Sequence, residues 1–97
     1  MRKVTTQIAQ AFKAGKPKTI GNTMTDGQAV WLHGNKIAEK QGNGLRVTLA
    51  GWNTPTTRER VNGVLWELGY KDGYTQKNFE PYFNGELVCS SEWQDIN

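Results

Sequence analysis

A chain of 97 residues with a net charge of +3 has room for one hydrophobic core, and four Trp, three Tyr and three Phe can fill it without a metal. Its lone cysteine, Cys89, excludes an internal disulfide, and Cys89 with the single histidine, His33, falls short of the roughly four ligands of a zinc site. No run approaches the roughly 18 apolar residues of a membrane span, and the basic start Met1-Arg2-Lys3 lacks an apolar signal region, so the expectation is a soluble, cytoplasmic protein without a membrane partner.

Val4, Ile8 and Phe12 recur every four residues, which predicts a short amphipathic helix near 4–14, ended by Gly15 and Pro17. The segment 1–18 carries Arg2, Lys3, Lys13, Lys16 and Lys18 with no acid, whereas 80–97 carries Glu80, Glu86, Glu92 and Asp95 with no base. Such ends are ordinary solvated surface, a basic arm for nucleic acid, or the two halves of a head-to-tail homo-oligomer contact. Lys13, Lys16 and Lys18 also suit the negative end of a helix dipole.

From 18 to 51 the period changes to two. Thr19 to Thr23 reads as an edge strand, and Val30 and Leu32 face opposite to Trp31 and His33. Gly34-Asn35 predicts a two-residue turn that sets Leu32 against Ile37. Leu45, Val47 and Leu49 form the next inward row. Bringing that row onto the face of Ile37 requires an odd loop, assigned to Gly42-Asn43-Gly44.

Thr54-Pro55 then reads as N-cap and first residue of a second helix, with Thr56-x-x-Glu59 as an alternative capping box. Val61, Val64, Leu65 and Leu68 make its apolar stripe, and Gly69 closes it. Beyond it two strands, Pro81-Tyr82-Phe83 and Glu86-Leu87-Val88, flank a turn at Asn84-Gly85. The tail from 90 to 97 is either frayed or docked by Trp93 and Ile96. The fold class is therefore α+β, one domain over 1–97. Its antiparallel sheet has four to six strands and two helices, in the order α-β-β-β-α-β-β.

No catalytic set emerges. His33 lacks an orienting partner, Cys89 reads as a small hydrophobe, and the nine carboxylates are scattered. Neither a cofactor nor enzymatic activity is expected. Binding features are more distinct. Trp66 lies off the apolar stripe of its helix beside Gly63, so it is either covered by the tail or exposed as a docking anchor. Trp31, opposite Leu32, raises the same question. The junction from Gly51 to Arg60 combines Trp52, a helix start, and Arg58 and Arg60, read as surface residues. The partner-binding set is thus Trp52, Arg58, Arg60 and Trp66. Nucleic acid would instead be held weakly by Lys13, Lys16, Lys18, Arg58 and Arg60.

Three ordered blocks carry a resemblance: Leu32-His33-Gly34-Asn35-Lys36-Ile37-Ala38, then Gly51-Trp52-Asn53-Thr54-Pro55-Thr56-Thr57-Arg58-Glu59-Arg60-Val61-Asn62, then Tyr82-Phe83-Asn84-Gly85. Spread over about 20–88, they make the chain similar to a group of small phage and prophage proteins with LHGN-x-IA, GW-x-T-x-TT-R-x-R-(L/V)-N and Y-x-NG segments. That resemblance implies a phage origin and assigns no catalytic residue. The expected function is a phage-encoded, non-enzymatic binding protein acting on a host or phage macromolecule, an accessory modulator of host machinery or defence. Nucleic-acid binding is the alternative, and a minor virion or assembly component a further one.

Overall fold

The computed structural model describes residues 2–96. Its first element, α1 (Lys3–Ala14), buries Thr5, Ile8, Ala9 and Phe12 and ends where Gly15 takes a left-handed φ of 73°. Five strands follow: β1 (Lys18–Ile20), β2 (Thr23–Thr25), β3 (Ala29–Leu32), β4 (Asn35–Gln41) and β5 (Gly44–Val47). Helix α2 (Pro55–Glu67) comes next, then β6 (Tyr74–Lys77), β7 (Glu80–Phe83), β8 (Glu86–Leu87) and β9 (Gln94–Ile96). The expected α+β class holds, with two sheets in place of one. A six-stranded antiparallel sheet has the order β1-β2-β3-β4-β5-β9, and β6-β7-β8 form a separate three-stranded one.

The inward rows of the large sheet are those read from the sequence, but the register that delivers them differs. The β3–β4 turn is His33-Gly34, with Leu32 paired to Asn35, so the pairing is displaced by two residues from the expected one. An even displacement leaves every side chain on its face, and Leu32 and Ile37 are both buried. The β4–β5 turn is two residues, Gly42-Asn43, because Gln41 pairs with Gly44. The odd residue needed to bring Leu45 and Val47 inward lies within β4 instead. Trp31 faces Lys36 while Val30 faces Ala38, so Ile37 is an extra, bulged residue, and Ile37 and Ala38 both turn inward.

Thr54 caps α2 by accepting the Thr57 N–H at 3.2 Å, with Pro55 at the first helical position. Val61, Val64 and Leu65 are fully buried, and α2 packs on α1 as well as on β4 and β6. The core runs from Ile8 and Phe12 through Val30, Ile37, Leu45 and Val47 to Tyr74 and Phe83. Those last two rings, 4.8 Å apart, attach the small sheet to it. The small sheet is also fastened through Asn62 of α2. Its amide donates to the Tyr74 carbonyl at 2.9 Å and accepts the Tyr74 N–H at 2.8 Å, as a neighbouring strand would. The tail is docked: β9 pairs with β5, Ile96 is buried, and Trp93 stacks 4.3 Å from the Arg46 guanidinium.

Candidate protein-docking surface

The chain leaves β5 through Thr48 and Leu49 and turns at Ala50 and Gly51, both with positive φ. The Gly51 N–H donates to the Ser90 carbonyl at 3.0 Å and the Trp52 N–H to the Leu49 carbonyl at 2.8 Å, which fixes the turn. Trp52 emerges from it 57% exposed. The next residue, Asn53, links two other elements. Its Oδ1 accepts from Arg58 Nη1, and its Nδ2 donates to the Phe79 carbonyl at 3.3 Å. The same Arg58 Nη1 donates to Gln76 Oε1 at 2.8 Å. The β6–β7 tip is thereby tied to the start of α2.

That tip is unusual in its residues. Asn78 and Phe79 both adopt positive φ, 53° and 65°, and Phe79 is 90% exposed. The other three turns with two successive positive φ values, His33-Gly34, Ala50-Gly51 and Asn84-Gly85, place glycine at the second position. A side chain there costs about 1–2 kcal/mol. Phe79 therefore occupies a position where local backbone energetics favour glycine, and it does so in water. The absence of glycine between Lys77 and Glu80 is also why no turn is legible there, and why Phe79 and Asn53 escape a reading of site residues from sequence.

Beside Trp52 lies a cavity of about 450 Å³ lined by Leu32, His33, Asn35, Ile37, Leu49, Thr54, Thr56 and Thr57 as well as Trp52 itself. Its buried aliphatic residues are Leu32, Ile37 and Leu49. None of the lining residues is Lys, Arg, Asp or Glu.

Of the four sequence-predicted docking residues, Trp52 and Arg58 are brought together. Trp66 is exposed to 72%, uncovered by the tail, but it lines a different, broad groove of about 820 Å³ with Gly63, Tyr70 and Gly73. Arg60 corrects the expectation of a surface arginine. Only 5% of it is exposed, its Nε donates to Thr23 Oγ1 at 3.0 Å, and its Nη1 donates to Thr5 Oγ1 at 2.8 Å and to Glu59. Glu59 in turn accepts from Thr5 Oγ1 at 2.6 Å, so the proposed capping box with Thr56 does not form. Glu59 and Arg60 knit α1, α2 and β2 together.

The nucleic-acid set is likewise dispersed. Lys13 is exposed in the last turn of α1, roughly 12 Å along its axis from Thr5, where Arg60 is anchored, while Lys16 follows the helix and Lys18 opens β1, both exposed. Trp31 is half-buried beneath the Lys36 ammonium, 5.6 Å from its ring. Cys89 is exposed, unlike the small hydrophobe expected, and the Ser91 hydroxyl beside it holds its thiol below the ordinary value. His33 Nε2 lies 3.1 Å from Asn22 Nδ2 in the β3–β4 turn. Among the described residues no three His, Cys, Asp or Glu side chains converge as metal ligands, and no helix is long and apolar enough to cross a membrane.

No curated protein and no solved structure matches the chain. The family described as Kyanoviridae Gp96 protein matches residues 1–97, the whole sequence, so the chain belongs to that family and is a phage protein.

Proposed function

We propose that this phage protein is a non-enzymatic binding protein that acts in the cytoplasm of the infected cell on a host or phage protein, as an accessory modulator of host machinery or defence. One observation carries the reading: Asn53, next to the exposed Trp52, bonds the Phe79 carbonyl and so tethers the turn that carries a second exposed aromatic to the same junction. Exposed aromatics held by a rigid support are what anchors of protein interfaces consist of, because they contribute large contact area at little entropic cost. Phe79 sits there against the preference of its own backbone, and such outliers cluster where function requires them. The internal position of Arg60, which removes one arginine from the basic set, favours a protein over a polyanion as partner.

A photo-crosslinking benzoylphenylalanine placed at position 79 during infection tests this. It should give a discrete protein adduct, while the same residue at Leu87, exposed on the small sheet, should not. No adduct at 79, or equal adducts at both positions, removes the reading.

A further inference from the structure

Resting on that reading, we infer that the partner inserts one neutral aromatic side chain into the cavity beside Trp52. The size admits a ring system with room to spare, since a cavity of about 150 Å³ already holds benzene. Pockets for drug-sized ligands run from about 300 to 1,000 Å³, and this one, at about 450 Å³, is at the lower end. The lining decides the chemistry. Leu32 of β3, Ile37 of β4 and Leu49 just beyond β5 lie beneath it, each at most 4% exposed, so the accessible apolar wall is chiefly the Trp52 ring.

Charge is excluded by the surroundings. With His33 as the one ionisable side chain in the lining and no Lys, Arg, Asp or Glu there, a charged group entering the cavity would leave water with little to pair it, which is costly. A phosphate or a carboxylate is therefore a poor occupant. Polarity is available at specific points. Thr54 and Thr57 bond to each other at 2.9 Å, whereas Asn35 and Thr56 make no side-chain hydrogen bond to other described residues. An indole N–H or a phenol hydroxyl can use the Asn35 amide while its ring packs on Trp52, which is how Trp and Tyr serve as anchors. An aliphatic side chain would leave that amide unused.

Two-dimensional amide NMR of the full chain tests the inference with probes sharing one ring and differing in charge. N-acetyltryptophanamide should produce saturable shifts at Leu32, Ile37, Leu49, Trp52 and Thr56. Indole-3-acetate and tryptamine, the anionic and cationic analogues, should each bind at least about tenfold more weakly, and so should N-acetylleucinamide. Asn35→Ala, at the half-buried start of β4, should weaken the neutral probe about threefold to tenfold with an otherwise unchanged spectrum. Trp52→Ala should abolish its binding, and the same spectra report whether that variant remains folded.

The inference is overturned if the neutral probe gives no saturable shifts there, or if a charged analogue binds as tightly. It is also overturned if N-acetylleucinamide or a nucleoside such as adenosine binds more tightly than the aromatic amide. Failure of the reading beneath it looks different. A cavity that saturates while position 79 captures no protein makes this a site for a free small molecule and overturns the partner. An adduct at 79 with an unresponsive cavity overturns the insertion alone.

Discussion

Phe79 has a left-handed backbone that glycine would adopt without a clash. Replacing it by Gly should relieve about 1–2 kcal/mol of local strain, set against about 0.5–1 kcal/mol of added chain entropy in the unfolded state. Phe79→Gly should therefore raise stability in urea titration by about 0.5–1 kcal/mol while weakening partner capture at least tenfold. Loss of both stability and binding would mean that Phe79 is a packing residue. Two carboxyls make a second prediction. The Gln28 N–H, and next the Ala29 N–H, hold Asp26 below its ordinary value, and the Lys36 ammonium, with Arg46, does so for Glu39. Both pKa values are depressed in the folded state, so their contribution is present above the ordinary carboxylate range and is lost as pH falls through the folded values. Melting temperature should hold from pH 7 to about 5 and decline below about 4, and Asp26→Ala should flatten that decline.

At the scale of elements, the two arginines of α2 have opposite roles although they stand two residues apart. Arg60 is inside, charge-paired with Glu59 and bonded to threonines of α1 and β2. Its removal leaves Glu59 and two hydroxyls without their donor, so Arg60→Ala should cost about 3 kcal/mol in denaturant unfolding. Arg58→Ala should cost under about 1 kcal/mol, the range of a partly exposed polar contact. Equal costs would refute the distinction. Both residues looked like surface from sequence because period and hydropathy rank arginine as outward by default. The acceptors that make Arg60 tolerable inside, Thr5 and Thr23, lie 55 and 37 residues away. The inward rows at Leu45, Val47 and Leu49, the α2 stripe and the Asn84-Gly85 turn were legible, since each depends on neighbours within a few residues. The bulge at Ile37 was not, because a two-residue turn with a bulged strand and a three-residue loop with a regular strand satisfy the same parity.

Across the molecule, the acidic tail closes the large sheet at its β5 edge. Ile96 pairs opposite Leu45, and Asp95 opposite Arg46. Deleting residues 91–97 should strip that edge, lower stability and promote association through β5, seen as faster sedimentation and a rise in light scattering. A truncated chain that remains monomeric with unchanged melting would show the tail to be dispensable. The tail is therefore held by strand pairing and by Ile96, while Arg46 forms its ion pair with Glu39. At the other end of the chain Lys13, Lys16 and Lys18 stay in solvent.

By itself the sequence determined the α+β class, the boundaries of both helices, the faces of the central strands and the junction at Trp52, all set by local periodicity, caps and turn residues. Tertiary structure decided which polar groups went inside and which aromatics met. Asn53 reaches Phe79 across 26 residues, and the cavity beside Trp52 draws its walls from β3, β4 and α2. The first of those juxtapositions depends on how the small sheet is fastened to α2 through Asn62 and Tyr74, contacts for which no spacing along the chain provides a signal.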